Sequence, residues 1–162
     1  MSWLLERLDK YKDDREMMAN LRCILVDNKK HRAWPALNRL GVAINDDVSA
    51  YVAGLFATHP EETSTGNFGV TCKAIEQKRG DKRSDDNKLT PTERRFQHLL
   101  TAEKGELYGR VLRMVLLAKS QGISVNYAKL VTDLKFWSDR TKTEWASAFW
   151  TQGAAPAAEE EI

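Results

Sequence analysis

Two arginines stand side by side in TPTERRFQHLL, residues 90–100. A guanidinium group is planar, permanently charged and forked, which suits it to the paired oxygens of a phosphate. Arg94 and Arg95 follow a helix-start signature. Thr90 can cap free backbone N–H groups, Glu93 can reach back to the cap, and Pro91 fits the first helical position. A helix start is partly positive, so cations this close behind it gain nothing from the dipole. Phe96, Leu99 and Leu100 mark the buried side, so a step of about 100° per residue puts Arg95 on the flank and Arg94 on the wet side. Neither is needed for packing. Holding a phosphate backbone is the chemistry the pair offers; a solvated helix face is the plain alternative.

More cations follow at helical spacing. Arg110 and Arg113 lie at one edge of an apolar stripe, with Lys104 and Lys119 toward the two ends of the same segment. Glu106 precedes Arg110 by four residues, the spacing of a helix-surface ion pair. Arg113 has Gly109 at that position and lacks such a partner. Arg140 and Lys142 fall at a turn beside Asp139. Gathered on one side of a helical lobe, these residues would form an electrostatic track for a polyanion.

Catalytic spacing is not found. His31, His59 and His98 lie in separate segments, and the sequence holds no GxxxxGK[ST], HExxH or GxSxG. Gly66-Asn67-Phe68-Gly69 has no strand before it and reads as an irregular helix start. Glu61-Glu62 reads as a solvated carboxylate pair in a polar loop. The reading is a non-enzyme with no cofactor and no metal site.

The elements that would carry the cations are helical, and the fold expected is all-α, with two small lobes. Residues 1–77 form an N-terminal lobe: Trp3, Leu4, Leu8 and Tyr11, then Met17 to Leu25, then Trp34 to Leu40 stopped by Gly41, then a helix capped by Asn45 or Asp46 and ended at His59-Pro60. Phe68, Cys72 and Ile75 suggest one more. Residues 78–89 include KRGDKRSDDNK, which has no apolar side chain, and are expected to be a mobile linker. Residues 90–152 form a C-terminal lobe: the Thr90 helix, a long apolar helix ending at Gly122, a stripe from Tyr127 to Trp137, and a helix with Thr141 and Glu144 at capping-box spacing. Trp137 and Trp145 sit on apolar stripes, and Trp150 lies off them. Residues 153–162 are small and acidic and are expected to be disordered.

Composition is consistent with this. The 162 residues carry 25 basic and 23 acidic side chains, and three of the acids, Glu159 to Glu161, stand together near the end. The stretch from Asn28 to Val42 contains Lys29, Lys30, Arg32 and Arg39 and no acid. Such moderate surfaces permit a polyanion partner without demanding one. Cys23 and Cys72 have no CxxC spacing and read as free thiols in a reducing compartment. No apolar run approaches the ~20 residues of a bilayer span. A cytoplasmic protein is expected.

The ordered series ERRFQHLL, LYGRVLRMVLLAKSQGISVNYAKLVTDLKFW and TEWASAFW resembles the CasB family, the small subunit of the type I-E CRISPR Cascade complex. NLRCILVDNKKHRAWPALNRLG, VAGLFATHP and GNFGVTCKAI resemble its first half, so the likeness runs from about Asp14 to Trp150. It implies a non-catalytic helical subunit in antiviral defence, present as two copies head to tail. Its partners would be the other Cascade subunits, backbone and large, with the guide RNA and target DNA. Its basic residues would steady the target and the displaced strand of the R-loop. By position, the nucleic-acid-binding residues implied are Arg94, Arg95, Lys104, Arg113, Arg140 and Lys142, with Arg110, Lys119 and Arg22 behind them. Arg22 is followed by Cys23 where the family often pairs arginines. A free-standing helical DNA-binding regulator and a structural adaptor that touches no nucleic acid are the rival readings.

Overall fold

The structure is a computed structural model that describes residues 2–151 and, within them, every side chain except that of Lys104. The all-α expectation holds: the described residues form nine α-helices, two 3-10 segments and a single β-bridge. The expected disordered tail at residues 153–162 lies outside the described residues.

The chain divides into two compact units, Met1–Ser64 with Ser124–Lys135, and Thr65–Ile123 with Phe136–Ile162. The first unit holds α1 (Trp3–Lys10), α2 (Arg15–Arg22), two 3-10 segments (Cys23–Leu25, Asp27–Ala33), α3 (Trp34–Leu40), α4 (Asp47–Thr58) and α8 (Tyr127–Lys135). Its centre is α4, whose residues from Val52 to Ala57 are all buried. Asp46 caps this helix through the Ser49 N–H, as expected, and the chain leaves it at His59 before Pro60. Gly41 ends α3 in the left-handed region, φ 79°, which a glycine adopts without Cβ strain.

The second unit holds α5 (Phe68–Arg79), α6 (Pro91–Leu100), α7 (Lys104–Gln121) and α9 (Asp139–Phe149). Helix α5 packs against each of the other three. Asn67 caps it through the Val70 N–H, so the GNFG stretch is the helix start that the sequence suggests. Phe68 meets Trp145 at 5.2 Å between ring centroids, and Cys72 and Ile75 are fully buried.

This division differs from the contiguous lobes expected at residues 1–77 and 90–152. Sequence order places α8 in the C-terminal lobe, yet its Tyr127 ring packs edge-on against Phe56 of α4 at 5.7 Å, and its hydroxyl donates to the His59 carbonyl at 2.6 Å. Glu62 and Val125 add the β-bridge. Sequence order likewise places α5 in the N-terminal lobe, and it packs instead against α9. The polar segment 78–89 therefore lies within the second unit rather than between two lobes. Arg79 extends α5 to its last turn and pairs with Asp81 at 3.2 Å, Asp81 accepts from the Thr92 N–H at 3.0 Å, and Arg83 pairs with Glu93 at 2.8 Å.

Two helix boundaries also differ. Helix α8 ends at Lys135, leaving Phe136 71% exposed, and Trp137 packs instead on Trp145 at 4.8 Å. The cap of α9 is Ser138, not Thr141, whose side chain is buried one turn inside the helix.

Candidate nucleic-acid interface

The capping box predicted at Thr90 is formed in full: the Glu93 N–H donates to Thr90 Oγ1 at 3.0 Å, and the Thr90 N–H donates to Glu93 Oε1 at 2.7 Å. It fixes the first turn of α6 and so the direction of the two residues after it. Thr92, Glu93, Phe96 and Leu99 face inward. Arg94 and Arg95 are exposed, and neither side chain makes a hydrogen bond or an ion pair among the described residues.

Helix α7 lies against α6, the two joined by Thr101, Ala102 and Glu103 into an αα-hairpin. Leu107, Val111, Met114, Val115 and Ala118 form its buried stripe. The apolar residues outside it are less enclosed than an all-round apolar helix implies: Leu116 is 45% exposed, and Leu112 and Leu117 are half-buried. Arg113 is exposed and unpaired among the described residues.

Arg110 is committed elsewhere. Its Nη1 donates to the His98 carbonyl at 2.7 Å, and its Nη2 pairs with Glu106 at 3.0 Å. It thereby adds a charged donor to a carbonyl that already accepts from the Thr101 N–H and hydroxyl at the C-terminal end of α6, and ties the hairpin together. Arg110→Gln is expected to lower stability by about 1 kcal/mol, the net worth of an ordinary hydrogen bond, because the carbonyl keeps its Thr101 donors. Denaturant titration checks this, and an unchanged midpoint would remove Arg110 from that role.

The remaining candidates spread around the unit. Lys119 is exposed near the C-terminal end of α7 and sits roughly 120° around the axis from Arg113. Arg140 pairs with Glu144 at 3.4 Å on the wet side of α9. Lys142 lies over the Trp137 ring at 5.9 Å, about 160° around α9 from Arg140. Lys104 begins α7, and its side chain is outside the described set. Arg22 belongs to the first unit, where its Nη1 donates to the Ala57 carbonyl at 2.9 Å and closes the C-terminal turn of α4. The structure thus brings Arg94, Arg95, Arg110 and Arg113 onto one hairpin, with Lys119 at the far end of its second helix, and leaves Arg140, Lys142 and Arg22 off it.

Two further features go beyond the sites expected from the sequence. Lys29, Lys30 and Arg32 are exposed on the 3-10 segment Asp27–Ala33 with no ion pair among the described residues. The acid-free run is their signal in the sequence. Glu62 lines a cavity of ≈ 740 Å³ with Ser2, Thr63, Asn126, Lys129 and Thr132. Burial and the neighbouring Asp9 carboxyl raise its pKa to about 7, against Lys12, so it is not the plainly solvated acid expected. No spacing rule could show that Asp9 of α1 meets this loop.

The family model for CRISPR-associated protein Cse2 matches residues 17–150. A Cse2-family CRISPR-associated protein from Thermus thermophilus has a similar fold, with TM-score 0.73 and 18% identity over 92% of this chain and 96% of that one. CasB from Thermus thermophilus gives TM-score 0.70 at 18% identity, with the same coverage. CasB from M. ruber gives 0.56 at 25% identity over 80% of this chain and 77% of that one. Among curated proteins there is no match.

Proposed function

Because the chain belongs to the Cse2 family of CRISPR-associated proteins, we propose that it is a non-catalytic small subunit of a type I-E Cascade complex that steadies nucleic-acid backbone through the α6–α7 hairpin. The observation that carries this is a contrast within one unit. Arg79, Arg83, Arg110 and Arg140 each have an acidic partner, whereas Arg94, Arg95 and Arg113 are exposed without one among the described residues. Unpaired exposed arginines keep all their donors for phosphate, at no cost in broken ion pairs.

Such contacts are sequence-independent and suit the step in question. Replacing a DNA duplex by an RNA–DNA heteroduplex is nearly balanced in energy, so a few backbone contacts tip it. The partners proposed are the backbone and large subunits, the guide RNA, the target DNA with its displaced strand, and a second copy of this chain placed head to tail. The complex works in the cytoplasm; among the described residues no helix is long and apolar enough to cross a membrane. Against a free-standing regulator stands α8 itself: Tyr127, Leu130 and Val131 are buried, and on its exposed side Lys129 and Lys135 are paired with Asp133 and Asp46 rather than held out for base edges.

Arg94→Gln, Arg95→Gln and Arg113→Gln together are expected to shorten R-loop lifetime on the assembled complex. The logarithmic salt slope of binding should fall by about one for each arginine–phosphate pair removed. Unchanged lifetime and slope, with the variant incorporated normally, would overturn the assignment.

A further inference from the structure

The 3-10 segment Asp27–Ala33 and the first residue of α3 carry charge and aromatic surface that the first unit does not use for packing. With three residues per turn, side chains three apart stand one above the other. Lys29 and Arg32 therefore share one edge of the segment. His31 and Trp34 share the next, and their rings meet edge-on with centroids 6.4 Å apart. The third edge is the anchor. Ala33 on it is fully buried, and the segment packs against α2, α3 and the 3-10 segment before it. Lys30 stands on that edge one turn earlier and is exposed.

The side chains of Lys29, Lys30 and Arg32 make no hydrogen bond or ion pair among the described residues. Asp27 is the one acid of the segment, and the next along the chain is Asp46. Other cations of this unit are engaged: Arg7 donates to the Leu40 carbonyl at 3.0 Å, Arg39 lies over the Tyr11 ring at 5.1 Å, and Lys129 pairs with Asp133 at 3.2 Å. Trp34 is an independent observation. It is 43% exposed, whereas Trp145 is fully buried. Helix α3 buries Ala36, Leu37 and Leu40 instead, so its inner face is complete without the indole.

We propose that Lys29, Lys30, Arg32 and Trp34 form a single-strand-binding site distinct from the α6–α7 hairpin, in which the cations hold the phosphates and one unpaired base stacks on the Trp34 indole. Cations beside an open aromatic face suit an unpaired strand. The charges follow its backbone, and every base offers a π-face, so the contact tolerates any sequence. A duplex brings the phosphates but keeps its bases stacked on one another. An acidic protein segment answers the charges and not the open ring. The site lies wholly within the first unit, so it stands whether or not the hairpin touches nucleic acid.

The test uses the full chain and two fluorescein-labelled probes, oligothymidylate and a duplex of equal length. Lys29→Gln, Lys30→Gln and Arg32→Gln together are expected to weaken oligothymidylate binding about tenfold at low salt. The logarithmic salt slope should fall by about two, at roughly 0.7 for each phosphate contact on a single strand. Trp34→Ala is expected to weaken the same binding about tenfold through the lost stack, with the salt slope and the duplex affinity unchanged. Trp34→Phe, which keeps a ring, should recover most of that loss. Bound oligothymidylate should also quench the tryptophan fluorescence of the natural chain more than that of Trp34→Phe, a readout that holds even if Trp34→Ala folds poorly.

Repeating the series in a background of Arg94→Gln, Arg95→Gln and Arg113→Gln separates the two sites. The losses from the 29–34 changes should persist there, so failure of the hairpin and failure of this site are read independently. No oligothymidylate binding by the natural chain, unchanged affinity in the charge variant, or equal quenching with and without Trp34 overturns the proposal. A charge variant that binds the probe normally but no longer enters the assembled complex also overturns it, and makes the patch a protein contact.

Discussion

Gly69→Ala is expected to lower the melting temperature of the protein by roughly 6–12 °C, the equivalent of about 3 kcal/mol for a chain of this size. A Cβ on Gly69 would overlap the carbonyl oxygen of Trp145, so the obstacle is backbone rather than a side chain that can turn aside. The two helices are pinned at this point from both sides. Asn67 Nδ2 donates to the Glu144 carbonyl at 3.3 Å, and Phe68 packs on Trp145, which is itself fully buried. Relief would require α5 to move off α9, and α5 is the helix against which α6 and α7 also pack. The damage should therefore reach the hairpin that presents Arg94, Arg95 and Arg113. A matched change separates this from a general effect of replacing glycine. Gly109 of α7 has nothing within 4 Å of its would-be Cβ, and Gly109→Ala should raise stability by up to about 1 kcal/mol through helix propensity. Thermal unfolding followed by tryptophan fluorescence reads both. A Gly69→Ala protein that melts with the natural one would show that the two helices do not meet so closely.

Gly69 also shows what the sequence could and could not reveal. That the GNFG stretch opens a helix is legible, because Asn67 is a cap and no strand precedes it. That its second glycine exists for close approach to α9 is not, since the partner lies 76 positions further on. The same limit explains the lobes. Periodicity marks α8 by Tyr127, Leu130, Val131 and Leu134, but an apolar stripe does not say which stripe it will meet. Tyr127 returns to α4, and the contiguous division breaks there. Segment 78–89 misleads for a related reason. Its charged residues look like linker because nothing apolar could anchor them, yet Asp81 and Arg83 are anchored by polar contacts to Thr92 and Glu93. Among the candidate cations, Glu106 discloses in advance that Arg110 is paired. Nothing local discloses the carbonyls of His98 and Ala57 that engage Arg110 and Arg22.

Glu93 is the other position where a single change should be felt widely. Its place in the capping box is readable, but the role of its second carboxylate oxygen is not. Oε2 accepts from Arg83 Nη2 at 2.8 Å and from Trp150 Nε1 at 2.9 Å, with the side chain 2% exposed. Burial alone would raise the carboxyl's pKa; the Thr90 N–H, the Trp150 indole and the Arg83 charge together outweigh it, and the pKa lies below the ordinary glutamate value. Stability from this group is therefore fully present above that ordinary value and is lost as pH falls through the lowered one. Glu93→Ala leaves the Thr90 and Trp150 donors unpaired and should cost about 3 kcal/mol. Glu93→Gln should cost less, because the amide keeps one acceptor, but its NH2 group then faces another donor. The decisive measurement is the difference in unfolding free energy between the natural protein and Glu93→Gln as a function of pH. It should be largest near neutrality and shrink on acidification, since the natural side chain then also becomes neutral. A difference that does not change with pH would mean that the ionised carboxylate is not what holds the start of α6 to Arg83 and Trp150.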